Sequence, residues 1–240
     1  VKVSKLEEKK ADILHISPSH HYPTGIVMPI SRRYELLGWA SRGENRYIIE
    51  DDYDSELRLS GQPIPTLQSI DVSDKVIYMN TFTKTLSSTV RISYMVLPGH
   101  LLDEFYKKLS FYSCTVSNFE QYTLAKFIQE GYFEKHINRL RNYYHSKRDS
   151  LIKAIRNSRL NDLVTISGEE AGVHFLMEVH TSLTESKLIQ SAGAHSIKLS
   201  PLSGYYHVSD EAPENVYIMN YSSIEVADIK EIIHRLSQCM

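Results

Sequence analysis

Residues 80–99 read NTFTKTLSSTVRISYMVLPG, and one lysine in that stretch decides how the fold is read. Lys84 is flanked by Thr81, Thr83, Thr85, Ser87 and Ser88, with Arg91 seven positions on. The apolar run before it, Val76-Ile77-Tyr78-Met79, has the character of a buried strand, and Arg91 to Leu97 leads into another. A solvated lysine normally sits among other charges. This one stands among small hydroxyl groups at the end of a strand.

Working outward, residues 11–18 (ADILHISP) read as a short strand entering the Pro-punctuated loop SPSHHYPTG. A helix is expected over 31–41 with Ser31 as N-cap. Residues 47–52 (YIIEDD) form a strand with an acidic end, followed by a loop containing Pro63 and Pro65 and the strand at 76–82. Strands separated by helical or looped connections predict an α/β domain with a mostly parallel sheet. Ligands gather at the carboxyl ends of such strands, where His20, Asp51, Tyr53 and Lys84 all fall.

Beyond residue 115 the pattern changes. Helices are expected at 119–130 and 132–157, then strands at 163–166, 172–179, 196–199 and 215–221, with helices at 183–192 and 224–237. These make a smaller α+β domain joined through a long helix. The expected division is 1–115 and 116–240.

The bulk composition excludes several classes. At 42% hydrophobic and 23% charged residues the chain has an ordinary globular content. Its 27 basic and 29 acidic residues give a net charge of −2, no electrostatic footprint for nucleic acid. No apolar run approaches the roughly 20 residues needed to span a bilayer, and no signal peptide is visible. Cys114 and Cys239 have no zinc or redox spacing, which suits a reducing cytoplasm. The chain opens on Val1 in a charged stretch, the expected mark of a piece of a longer protein.

Asp51 and Tyr53 alternate in an extended segment, so both side chains can enter one site. A lysine amine, a carboxylate, a phenol, hydroxyls and an arginine together suit pyridoxal phosphate. Its aldehyde condenses with an amine, its pyridine nitrogen needs an anionic partner, and its phosphate needs hydroxyls and a cation. Other readings have less behind them. The acidic run lacks the spaced ligand ladder and glycine of a calcium loop. His20 and His21 point apart with no third metal ligand in view. Asp52 and Asp54 read as turn or capping carboxylates, and Arg139, Arg141, Lys147 and Arg148 as a solvated helix face.

The segments SPSHHYPTGIVMPISRR, YIIEDDYDSE and YMNTFTKTLSSTVRISYMVLP resemble the aminotransferase-like domain of the MocR/GabR branch of GntR-type bacterial transcriptional regulators. More widely they resemble fold-type I pyridoxal-phosphate enzymes of the aspartate aminotransferase family. The resemblance runs from about Asp12 to the C-terminus, with AGVHF at 171–175 as a later mark. It implies the rear part of a fold-type I large domain, with the small domain behind it. It also implies that Lys84 is the Schiff-base lysine and Asp51 the partner of the pyridine nitrogen. Tyr53 would be the O3′ contact, Thr81, Thr83 and Arg91 the phosphate contacts, and Tyr22 a cofactor contact where ordinary aminotransferases carry asparagine. The expected partners are a small effector, either pyridoxal phosphate itself or an amino compound, and a second copy in a homodimer. DNA would be reached only through an N-terminal domain.

Two positions depart from the relatives. Where enzymes of the family place a substrate-carboxylate arginine, Ile218 falls; where the GABA-responsive regulator has one, Gly204 falls. No arginine occurs between Leu160 and Ile233. The expectation is therefore an effector-sensing module, with a working aminotransferase as the alternative.

Overall fold

The computed structural model describes residues 1–62, 64–208 and 211–240, so Pro63 of the expected loop lies outside the described residues. Two compact units emerge. One comprises Val1–His21, Ile26–Glu56 and Gln62–Asn138; the other comprises Tyr22–Gly25, Leu57–Gly61 and Arg139–Met240.

The first unit is built on four strands: β1 (Ile13–Ile16), β2 (Tyr47–Asp51), β3 (Val76–Thr81) and β4 (Ser93–Val96). They lie in the order β1-β2-β3-β4, with the first three parallel and β4 antiparallel to β3. Register aligns Leu14, Ile48 and Val76 on one face, and all three are buried. Helix α1 (Val3–Glu8) and helix α2 (Ile30–Ser41) lie on that side, with Leu36, Trp39 and Ala40 of α2 fully buried among the strand residues. Each such large apolar side chain contributes about 1.5–3 kcal/mol of transfer free energy.

Helix α2 starts one residue before the expected N-cap. Pro29 is the cap residue, no side chain caps the helix, and Arg33 N–H bonds the Pro29 carbonyl. Proline suits that place because its missing donor is not needed there. Arg33 is wholly buried, which a helix of this length tolerates only through its partners. Its guanidinium donates to the carbonyls of Pro18, Met28 and Pro65, and stands 3.6 Å from Glu50 Oε1. Glu50 in turn accepts from the backbone N–H groups of Leu67 and Gln68, both at 2.9 Å, in the short helix α3 (Leu67–Ile70). One buried cation thus ties three loops to the end of β2.

Helix α4 (Gly99–Leu109) has no counterpart in the expected pattern. Its apolar residues follow helical spacing, yet none is buried in this unit. Helix α5 (Asn118–Gln129) is capped by Ser117, whose hydroxyl accepts from Glu120 N–H. Helix α6 (Tyr132–Arg156) runs on to residues of the second unit.

The second unit holds an antiparallel sheet ordered β5-β6-β7, with β5 (Val164–Ser167), β6 (His174–Val179) and β7 (Val216–Asn220). Leu151 and Ile155 of α6 pack with Phe175, Met177 and Tyr217 of the sheet. Helix α7 (Glu185–Ala194) and helix α8 (Ile229–Cys239) complete that core through Leu188, Ile233 and Leu236. The strand expected at 196–199 does not form. Ser196 takes a left-handed φ of 60°, and the N–H groups of Ser196 and Ile197 close the end of α7 on Gly193 and Ala192. Extended pairing begins only at Ser200, whose carbonyl accepts from Ile218 N–H. Among the described residues, no helix is long and apolar enough to cross a membrane.

Candidate functional site

Parallel order puts the carboxyl ends of β1, β2 and β3 on one edge of the first unit's sheet, and the start of antiparallel β4 joins them. Asp51 closes β2 on the face opposite the core, one-third exposed, with Oδ2 at 3.3 Å from His15 Nε2. Next, Asp52 turns inward and is buried. It accepts hydrogen bonds from Ser55 Oγ and Tyr78 OH, both at 2.8 Å. Tyr53 turns outward again, its OH 3.4 Å from His20 Nδ1. Asp54 turns in and meets the same Nδ1 at 2.7 Å.

The chain after β3 makes a tight turn. Phe82 N–H bonds the Ile92 carbonyl, and Leu86 N–H bonds the Phe82 carbonyl. Thr81 Oγ1 donates to Thr83 Oγ1 at 2.9 Å, and Thr83 Oγ1 also reaches the Val90 carbonyl at 3.4 Å. These two hydroxyls therefore sit side by side at the mouth of the turn. His136 of α6 donates to the carbonyl of buried Thr85 at 2.8 Å, pinning the far side. Lys84 and Arg91 are both exposed, and neither side chain enters a hydrogen bond or ion pair among the described residues. Two unspent cations thus flank paired hydroxyls at the sheet edge, a donor set that fits a phosphorylated aldehyde.

Burial is the main electrostatic influence on the acids below this edge. Burial raises the Asp54 carboxyl above its ordinary range, against the pull of the His20 hydrogen bond and the Lys84 charge. Burial also raises Glu56, whose Oε1 accepts from Asn80 Nδ2. The Tyr78 phenol is driven far up by burial and by the Asp52 charge.

Tyr22 belongs to the second unit. Its OH is 2.9 Å from Tyr205 OH, and its ring meets His174 edge-on at 5.3 Å. Burial and the Tyr205 hydrogen bond push its pKa up to about 12. Gly204 has open space where a side chain would begin, and Ile218 is buried in β7.

Two readings of charged residues need correction. Lys147 and Arg148 are not on a solvated face; both are buried. Lys147 donates to the Ser222 carbonyl at 3.1 Å and lies over the Tyr143 ring, while Arg148 bonds the Glu169 carbonyl and Asp149. Of the two carboxylates read as turn or capping groups, Asp52 does accept from Ser55 Oγ three residues on, whereas Asp54 pairs with the buried His20. Strand alternation carried two residues past Asp52 would have turned Asp54 inward, but nothing in the sequence marks His20 as its partner.

No family model matches the chain. Among curated proteins, the HTH-type transcriptional regulator YdeL of Bacillus subtilis (strain 168) is 40% identical over 235 residues, covering 98% of the chain and 50% of the relative. The probable rhizopine catabolism regulatory protein MocR of Rhizobium meliloti is 35% identical over 224 residues, or 93% of the chain and 45% of the relative. The chain spans about half the length of these relatives. Among solved structures, Pyrococcus horikoshii kynurenine aminotransferase in complex with PMP superposes with a TM-score of 0.83 at 26% identity, covering 99% of the chain and 58% of that protein. The chain is thus a homologue of the aminotransferase-like region of MocR-type HTH transcriptional regulators, with the fold of a fold-type I aminotransferase.

Proposed function

We propose that this chain is the pyridoxal-phosphate-binding, effector-sensing module of a bacterial transcriptional regulator. The observation that carries the reading is Lys84 in the turn after β3, an exposed amine with no hydrogen-bonding partner among the described residues, close in the chain to the Thr81–Thr83 hydroxyl pair. In this reading Lys84 holds the cofactor covalently through its amine. Thr81, Thr83 and Arg91 bind its phosphate, the hydroxyls by donation and the guanidinium by charge. Asp51 keeps a proton on the ring nitrogen, and His15 orients Asp51. Tyr53 donates its phenolic hydrogen to the ring oxygen. Bound there, pyridoxal phosphate supplies an electron-withdrawing ring that stabilises negative charge beside the amino nitrogen.

Sensing needs only that a ligand bind two states of the protein unequally. The absence of an arginine between Leu160 and Ile233 favours sensing over transamination, because a buried amino-acid carboxylate is commonly held by a guanidinium. Residues 1–115 would form the rear of the cofactor-binding domain and 116–240 the linker helix and small domain. DNA would be contacted by an HTH domain of the kind named in the relatives, not by this chain. The exposed apolar residues Tyr94, Met95, Val96, Phe119 and Tyr122 support a homodimer. Titration with pyridoxal phosphate followed by visible absorbance tests the reading: a saturable new band is expected, and a flat spectrum at millimolar cofactor sinks it.

A further inference from the structure

Just beyond the carboxyl ends of β1 and β2, His20 and Asp54 form a buried imidazole–carboxylate couple, with side-chain exposures of 1% and 5% and an Nδ1–Oδ2 distance of 2.7 Å. Tyr53 comes up to the same nitrogen, its OH at 3.4 Å and its ring tilted 33° to the imidazole. One ring nitrogen therefore faces two oxygens. Nδ1 carries either a proton or a lone pair, never both. An ionised carboxylate offers only lone pairs, so the short contact to Asp54 puts the proton on Nδ1. That leaves Nδ1 with nothing to accept the Tyr53 hydroxyl hydrogen. The phenol's own hydrogen must then point away from His20.

We propose that His20 and Asp54 are positioning residues that hold the Tyr53 phenol as a hydrogen-bond donor toward an anionic oxygen of the bound ligand. This deepens, and rests on, the cofactor reading of Tyr53. Burial is the largest influence on the Asp54 carboxyl and raises it, with Asp52 in the same sense, while the His20 hydrogen bond and the Lys84 charge pull it down, so the couple is read at pH 8, well above the ordinary carboxylate range. His21, the other titratable group beside His20, is itself held toward neutrality by burial. The couple is also costly to keep. A buried carboxylate and imidazole add less stability than apolar residues of like size, so a positioning role accounts for what packing does not.

The test has two arms. Without cofactor, imidazole nitrogen NMR of 15N-histidine-labelled protein at pH 8 should show His20, identified by its loss in His20→Gln, as the Nδ1–H tautomer. Asp54→Asn should abolish that preference and Tyr53→Phe should keep it. With cofactor, the pH midpoint of the visible band should rise by about one unit in Tyr53→Phe, the equivalent of one hydrogen bond to a charged oxygen. Asp54→Asn and His20→Gln should each raise it in the same direction, and neither should add to Tyr53→Phe. An Nε2–H tautomer in the wild type overturns the proposal. So does a midpoint that Asp54→Asn leaves unmoved, or moves equally without the Tyr53 hydroxyl. A wild type with no visible band removes the cofactor reading and the Tyr53 role with it, whereas a band with an unmoved midpoint removes the positioning role alone.

Discussion

His15 Nε2 lies 3.3 Å from Asp51 Oδ2 on the face of the sheet opposite its core. The register explains the contact. His15 pairs with Ile49, two residues before Asp51, so the two side chains are diagonal neighbours on adjacent parallel strands. His15 is 60% exposed and Asp51 34%, so the pair itself is worth at most about 1 kcal/mol. Replacing His15 by leucine should weaken pyridoxal phosphate binding by no more than about fivefold. Asp51→Asn should weaken it by about ten- to a hundredfold, since a charge-assisted bond is lost. Absorbance titrations of the two variants check this, and equal losses would mean that His15 touches the cofactor directly.

The Arg33–Glu50 arrangement should dominate the stability of the first unit. Arg33→Met removes bonds to three carbonyls and leaves Glu50 as a buried charge without its cation. The expected loss is about 3–5 kcal/mol. Urea denaturation should show less loss in Arg33→Met combined with Glu50→Gln, because the stranded charge is then gone. A single-variant loss below about 1 kcal/mol would mean that the loops hold without this cation.

Much of this was legible in the sequence, for stated reasons. Alternation placed Asp51 and Tyr53 on one side of the chain leaving β2, and the burial of Asp52 and Asp54 on the other side agrees with it. The Lys84 turn stood out because its hydroxyls serve local hydrogen bonds, a short-range pattern. Long-range partners left no such trace. Lys147 and Arg148 read as solvated because their acceptors, the carbonyls of Ser222 and Glu169, lie 75 and 21 residues away. His20 and Asp54 meet across 34 residues. The segment at 196–199 has strand-like composition, but the closing of α7 takes its first N–H groups. The start of α2 was missed by one residue because a proline cap leaves no side-chain signature.

Three carboxyls, Glu50 and Asp54 buried and Glu56 partly so, should tilt stability with pH. Burial raises Glu50, Asp54 and Glu56 above their ordinary values of 4.5, 3.8 and 4.5. A carboxyl raised on folding binds its proton more tightly in the native state. Its contribution is therefore full below the ordinary value and is lost as pH climbs through the raised one. Asp54→Asn cannot ionise, so its denaturation midpoint should fall less than that of the wild type as pH rises above the ordinary carboxyl value of 3.8. Parallel curves for the two proteins would remove Asp54 from the account.

The resemblance sets Ile218 and Gly204 where a carboxylate-binding arginine would be expected, and no arginine occurs between Leu160 and Ile233. Losing such a bond costs about 1.5–3 kcal/mol, roughly ten- to a hundredfold in affinity. Common amino acids and GABA should therefore leave the visible spectrum of the cofactor-loaded protein unchanged at concentrations where cofactor alone saturates. In a DNA-binding anisotropy assay of the intact regulator, pyridoxal phosphate alone should move the isotherm. A response that requires one specific amino acid would show that another residue supplies the clamp.

The central claim is that Lys84 is the cofactor lysine, and covalent trapping tests it most directly. Protein incubated with pyridoxal phosphate, reduced with borohydride and digested should carry the added pyridoxyl mass on the peptide containing Lys84. Lys84→Ala should carry none and should show no visible band. A label on any other lysine, or a band that survives in Lys84→Ala, would contradict the account.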